Sequence, residues 1–404
     1  MKIALVSEHA SPLAALGGAD AGGQNVHVAE LSAGLVRLGH EVTVYTRRDD
    51  PQLPDELLVP AGYHVRHVPA GPPCRLPKDD LLPWMNDFGN WLQCVWSADP
   101  PEVAHAHFWM SGYATRVGVA GLGIPTAQTF HALGVVKRRF QGAADTSPPG
   151  RITIELELAR AFDRVIATCS DEVFELVRMG LRRSNMSVAP CGVDLGRFAP
   201  VGRVAPKTSR RRIVTVGRLV PRKGFDTAIA ALTELPDAEL VIAGGPAHGS
   251  LDHDPEAVRL LRLADELGVR DRVDMPGQVS REDMPALLRS ADVVTCTPWY
   301  EPFGIVPVEA MACGVPVVAA AVGGMLDTVV DGSSGRLVPP RDSAALSAAV
   351  GRLLADEKTR AALGRAGRER ACSRYSWDRI AADTLRVYQR IAAAGSTSDT
   401  AAAR

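Results

Sequence analysis

The chain has 404 residues, 46% hydrophobic and 23% charged, and its 45 Lys plus Arg nearly cancel its 46 Asp plus Glu, leaving a formal charge of −1. That length exceeds one ordinary core and favours two or three domains. The charge balance excludes the broad basic surface that nucleic acid or an anionic membrane would require. Local basic clusters remain at Lys137-Arg138-Arg139 and Arg210-Arg211-Arg212, the second reading as a solvated loop. Seven cysteines are scattered without a Cys-x-x-Cys pair, which argues for a reducing compartment and against a zinc site or disulfide frame. The opening apolar run is too short for a signal peptide, and no run approaches the roughly 20 apolar residues of a bilayer span, so a cytoplasmic protein without membrane insertion is expected.

In chain order, residues 3–6 read as a buried parallel strand, apolar throughout. Val26, Val28, Leu31, Leu35 and Leu38 recur at helical spacing, and Gly39 stops that helix. Strands are expected at 41–46, 65–68, 103–108, 126–130, 165–168 and 187–190. After a Pro, Gly, Lys and Arg-rich stretch the alternation restarts, with strands at 213–217, 239–243, 272–275, 292–297 and 316–320 and helices between them. Helices over 344–354, 359–372 and 377–391 close the chain. Strand and helix alternating in this way predict parallel sheets with helices on both faces. The expected division is a first domain at 1–196, a linker at 197–211, a second domain at 212–375, a helix at 376–392 packing back on the first domain, and a disordered tail at 393–404. Ligands of such sheets sit at the carboxyl ends of the strands.

The first strand-to-helix loop holds Gly17-Gly18 and Ala21-Gly22-Gly23-Gln24-Asn25. Its glycines let the backbone approach a phosphate or sugar, although a merely flexible loop fits too. The loop is too long for a dinucleotide fingerprint. Gly217-Arg218-Leu219-Val220-Pro221-Arg222-Lys223-Gly224 opens the second sheet; Arg218 and Lys223 are either exposed loop charges or the two cations that a leaving diphosphate requires. Within Pro298 to Ala312, Glu301 ends a strand and Glu309 falls at or just beyond the first turn of a helix, where two carboxylates could accept from the hydroxyls of two sugar rings. Helix capping is the plainer role for Glu309. His131 follows another strand end and is a hydroxyl partner or a core histidine, while His105 and His107 flank a third, His107 being the better placed. Asp252-His253-Asp254 could hold a metal, but Asp254 before Pro255 reads as a helix N-cap, so no metal is assigned.

Together these motifs resemble a family 4 retaining glycosyltransferase of GT-B architecture. The likeness spans almost the whole chain and is most specific at Glu301-Pro302-Phe303-Gly304 with Glu309, supported by Gly217-Arg218, Lys223-Gly224 and His131. Gly22-Gly23-Gln24-Asn25-Val26 and His105 to Gly112 are most similar to the sucrose-phosphate synthase branch and to the mycothiol-pathway inositol-phosphate glycosyltransferases. The resemblance implies an α/β fold of two Rossmann-like doubly wound domains facing a central cleft, with a C-terminal helix crossing back to the first. It implies a metal-independent, front-face transfer of a hexose-type sugar from a UDP-sugar, or else a GDP-sugar, to a small-molecule acceptor, with no cofactor. Arg218, Lys223, Glu301 and His131 would then be catalytic. Gly22, Gly23, Val279, Phe303, Gly304, Ile305 and Glu309 would join in binding the donor, and Asn25, Lys78, His107, Phe108, Ala132 and Arg151 would face the acceptor. Phe108 and Ala132 stand where the inositol-phosphate enzymes place hydroxyl-bearing residues, which points to a different acceptor, such as a natural product or thiol-type molecule. The alternative is a nucleotide-sugar 2-epimerase of the same architecture. No nucleic-acid partner is expected, and a homodimer is left open.

Overall fold

The computed structural model describes residues 1–13 and 22–402, with backbone alone at 248 and from 395 onward. The Gly17-Gly18 pair therefore lies outside the described residues. The chain divides into two compact units: Cys191–Ser376 forms the second, and the first joins the residues before Cys191 to those from Trp377 onward. No described helix is long and apolar enough to cross a membrane.

The first unit holds eight strands, β1 (Lys2–Val6), β2 (Glu41–Arg47), β3 (Glu56–Leu58), β4 (His64–Val68), β5 (Val103–His107), β6 (Thr126–Thr129), β7 (Arg164–Ala167) and β8 (Met186–Val188). They lie in the order β3-β4-β2-β1-β5-β6-β7-β8, parallel except for the antiparallel β3–β4 pair. The central strands are apolar because helices cover both faces; β1 and β5 are almost wholly buried. One such layer is the helix Met85–Ala98 against the helix Trp109–Gly118, where a Cβ on Gly89 would stand 2.5 Å from Val117 Cβ. Only a glycine permits that approach.

The second unit is a six-stranded parallel sheet, β9 (Arg211–Val216), β10 (Ala238–Ala243), β11 (Val273–Gly277), β12 (Val293–Cys296), β13 (Val317–Ala320) and β14 (Arg336–Val338). Its order, β11-β10-β9-β12-β13-β14, is the doubly wound arrangement. In both sheets the strand order reverses beside the first strand, between β1 and β5 and between β9 and β12. That is where loops diverge and a ligand crevice opens.

Three differences from the sequence reading have physical causes. The stretch expected as a linker is packed onto the second unit: Phe198 is buried, its carbonyl accepts from Arg368 (3.0 Å), that of Ala199 from Arg289 (3.0 Å) and that of Pro206 from Arg212 (2.7 Å). Strands β3 and β14 were not foreseen, since an edge strand such as β3, exposed throughout, shows no burial alternation. The last helix, Trp377–Ala402, runs on through the expected tail, continued by the helix-favouring Ala392, Ala393 and Ala394. It lies along the helix Gly23–Arg37, where Arg37 pairs with Asp378 (2.7 Å) and a Cβ on Gly34 would stand 2.7 Å from Ala381 Cβ.

Candidate active site

In the second unit, β9 and β12 run side by side, with Ile213 opposite Val293 and Val214 opposite Val294, so their carboxyl-end loops emerge together. The β9 loop tightens into a turn over Pro221–Lys223 and enters the helix Phe225–Leu232 through Gly224, whose φ is +66°. A Cβ there would lie 2.0 Å from the Thr297 carbonyl oxygen of the neighbouring loop. Glycine thus lets the two loops touch, and hydrogen bonds from Trp299 N–H to the Arg222 carbonyl (2.8 Å) and from the Thr297 hydroxyl to the Gly224 carbonyl (2.8 Å) join them.

This contact sets Lys223 against Glu301: Nζ donates to Oε2 at 2.5 Å, with both side chains less than a fifth exposed. Arg222 places Nη1 4.0 Å from the same oxygen, buried and without a hydrogen-bond partner, while its guanidinium lies 5.3 Å from the Tyr300 ring centroid. Arg218 lies exposed on the same loop. Burial alone would raise the Glu301 carboxyl; Lys223, Arg222 and Arg218 outweigh it and hold the group below the usual carboxylate range. Sequence reading missed Arg222, although it stands inside the quoted motif, because a charge flanked by Pro and Lys looks like a solvated loop.

Beyond Glu301, Gly304 at φ +86° starts the helix Ile305–Ala312. Pro307 and Glu309 therefore fall two residues further into that helix than Pro307 at its first position would place them. No described backbone group takes the N–H of Phe303, Gly304 or Ile305, so these donors stand at a positive helix end. Glu309 caps nothing: its carboxylate accepts no hydrogen bond among the described residues, and burial pushes it up to about 7, against the pull of Arg281 and Arg197. Val279 follows β11, partly buried. Asp254 is a helix cap, accepting from Glu256 N–H (3.0 Å) and Ala257 N–H (2.9 Å).

The first unit gathers imidazoles instead of charges. His131 follows β6 and is held at φ +60°, and Phe108 follows β5 at φ +81°. Such values in side-chain-bearing residues are costly and cluster at functional sites. His107 Nδ1 lies 3.0 Å from His131 Nε2 with the rings stacked, and His27 packs within 5.0 Å of His131 and 5.5 Å of His107. Burial drives His27 to about 4 and His105 to about 3, and pushes His107 and His131 well below the ordinary histidine value, so all four are neutral near pH 7. His107 has no exposed surface. This corrects its expected contact with the acceptor: it lies behind His131, which is only partly buried.

The other first-unit residues divide in the same way. Among the described residues, nothing stands within 4 Å of a Cβ on Gly22, at the start of the helix Gly23–Arg37. Asn25 is buried with its amide committed, accepting from Gly22 N–H (3.0 Å) and donating to the Ser11 carbonyl (2.9 Å), so it shapes the loop. Arg151, only 3% exposed, donates to Glu155 (2.7 Å), the Ser147 hydroxyl (3.1 Å) and the Ala132 carbonyl (2.6 Å). Lys78 and Arg151 flank the Phe108 ring at 5.4 and 5.1 Å. His9, not foreseen, packs edge-on to that ring (4.9 Å) with Nδ1 at 2.7 Å from the buried Glu8 carboxylate. A polar Ser-Glu-His run directly after β1 was the available signal.

The chain is similar to known proteins along nearly its whole length. Residues 21–197 match the family model described as Glycosyltransferase Family 4, and residues 202–370 match Glycosyl transferases group 1. The chain is 38% identical to a D-inositol 3-phosphate glycosyltransferase of Xylanimonas cellulosilytica, covering 96% of each chain. It is 37% identical to that of Mycolicibacterium smegmatis, covering 96% of this chain and 91% of the relative. Among solved structures, a sucrose-phosphate synthase from Thermosynechococcus elongatus superposes with a TM-score of 0.88 at 32% identity, covering 97% of this chain and 99% of that one. Anabaena HepE in complex with UDP and glucose, 20% identical, shares the fold with a TM-score of 0.73 over 96% of this chain and 99% of its own.

Proposed function

Because the chain belongs to the family 4 glycosyltransferases and has the GT-B fold, we propose that it moves a hexose-type sugar from a nucleotide diphosphate, a UDP-sugar first and a GDP-sugar second, to a small-molecule acceptor, with retention and without a metal ion. The observation that carries this reading is the Lys223–Glu301 contact at 2.5 Å, reinforced by Arg222 and Arg218. A glycosidic bond breaks heterolytically when the negative charge growing on the departing diphosphate meets cations already in place. Arg218 and Lys223 supply them, and Glu301, held ionised, accepts from hydroxyls of the donor sugar. The N–H groups of Phe303, Gly304 and Ile305 add donors, Glu309 accepts from the ribose, the backbone at Val279 meets the base, and Gly22 and Gly23 allow close approach of the diphosphate. His131 holds a donor-sugar hydroxyl. The acceptor oxygen or sulfur attacks the face the diphosphate is leaving, and a diphosphate oxygen takes the acceptor's proton. The acceptor side lies on the first unit around Phe108, Lys78 and Ala132, whose carbonyl Arg151 holds from behind. Phe108 and Ala132 offer no hydroxyl there, which favours an acceptor other than a phosphorylated inositol. The relatives named above as glycosyltransferases give the epimerase reading no support.

Three measurements test this. UDP-sugars should raise the melting temperature, ligand at a hundred times its Kd adding ~2.7 kcal/mol, and EDTA should leave transfer unchanged. Lys223→Met should cut kcat by about 10²–10³ with the fold intact. No stabilisation by any UDP- or GDP-sugar, or near-normal turnover of that variant, would overturn the proposal.

A further inference from the structure

The proton positions in the imidazole cluster can be followed bond by bond. Thr129 donates its hydroxyl to the Ile166 carbonyl (2.8 Å), so its oxygen is free to accept from His105 Nε2–H (2.9 Å). His105 Nδ1 then accepts the Tyr388 hydroxyl at 2.6 Å, and the His105 tautomer is fixed. Its ring lies 4.1 Å from that of His107. In the next contact, His107 Nδ1 to His131 Nε2 at 3.0 Å, two neutral rings share one proton. The other His107 nitrogen, Nε2, is buried with no partner among the described residues.

That orphan decides the direction. If Nε2 carried the proton, a buried N–H would have no acceptor, a rarer condition in proteins than an unused acceptor lone pair. The proton therefore sits on His107 Nδ1 and is donated to His131 Nε2. His131, being neutral, must carry its own proton on Nδ1, the nitrogen with no partner among the described residues.

We propose that His107 is a positioning residue, which fixes His131 as the Nδ1–H tautomer and so presents a hydrogen-bond donor to an oxygen of the bound nucleotide sugar. The inference rests on the glycosyltransferase reading for its ligand, but not for the tautomer itself. A histidine in the donor-sugar site can serve equally as acceptor or donor, and the sequence cannot say which. Here the choice is made one residue deeper. His131 meets this partner from a backbone held at a φ of +60°.

The test uses full-length protein with ¹⁵N-labelled histidine and no substrate, comparing wild type, His107→Asn, whose amide nitrogen can replace imidazole Nδ1, and His107→Phe, which keeps the ring and removes both nitrogens. The expected spectra show His131 protonated at Nδ1 in wild type and His107→Asn, and shifted towards Nε2–H in His107→Phe. The KM for the nucleotide sugar should rise about tenfold in His107→Phe and stay within about threefold in His107→Asn, as for loss and rescue of one hydrogen bond. An Nε2-protonated His131 in wild type, or an unchanged tautomer in His107→Phe, overturns the proposal whether or not transfer is detected. Should His107→Phe fail to fold, wild type and His107→Asn decide it: Nδ1–H in both supports the assignment, and Nε2–H in either refutes it.

Discussion

The two units solve the same problem, placing polar groups at the carboxyl end of a parallel sheet, in opposite ways. In the second, Lys223, Arg222 and Glu301 keep their charges and some access to solvent, because two glycine-tightened loops bring them together at the surface of the crevice. In the first, burial has neutralised four histidines and bound Arg151 entirely to its own neighbours. Charge that must act on a ligand remains where water can reach it; charge that is buried becomes part of the scaffold. The comparison also separates residues that look equivalent in sequence. Arg151 and Lys223 both stand near the start of a helix, yet only Lys223 is available for chemistry.

The strongest challenge to this contrast is Arg151→Met. If Arg151 is scaffold, its removal strands the Glu155 carboxylate, which burial already raises above its ordinary range despite Arg151. Stability should fall by ~3–5 kcal/mol in urea unfolding, and Glu155→Gln in the same chain should restore much of it. A variant as stable as wild type but inactive would move Arg151 into the substrate site. Next in size, Gly224→Ala forces a methyl group towards the Thr297 carbonyl at a φ of +66°. Strain at that φ alone costs ~1–3 kcal/mol, and the two loops should separate, so donor binding should weaken together with thermal stability. Loss of stability with unchanged donor affinity would show that the loop contact does not assemble the site.

The smallest effect comes from Glu309, whose carboxyl lies at about 7. Above that pH it is a carboxylate that can accept from two ribose hydroxyls, so kcat/KM for the donor should rise through pH 7 by a factor of about 10, the worth of one charge-assisted hydrogen bond. Between roughly pH 4.5 and 7 the folded protein binds more protons at this site than the unfolded chain, so stability should decline with rising pH over the same window. Both slopes should flatten in Glu309→Gln. A pH profile unaffected by that substitution would place the ribose elsewhere.

How much of this could be read from sequence follows the same division. The doubly wound sheets were legible because buried strands such as 3–6 and 240–243 are apolar without interruption. In the charged half of the site, Arg218, Lys223 and Glu301 were legible as candidates because they fall on the loops that follow strands, where a ligand or solvent explains a charge. The neutral half was not. Nothing in His-Ala-His distinguishes His105, locked to Tyr388 from 283 residues away, from a ring that meets substrate. His9 gains meaning from the buried Glu8 beside it, and the polar Ser-Glu-His run after β1 was its only signal in the sequence.

The closing helix has a further consequence for how this polypeptide is made. Its Trp377 packs on His27 at 5.4 Å, Ala381 meets Gly34, and Tyr388 is wholly buried against the β5 histidine. The first sheet, made before the second, thus lacks its last structural layer until the closing helix emerges, while the contiguous second unit can fold at once. Birth order and folding order are inverted: the first sheet waits, partly uncovered, throughout synthesis of the second.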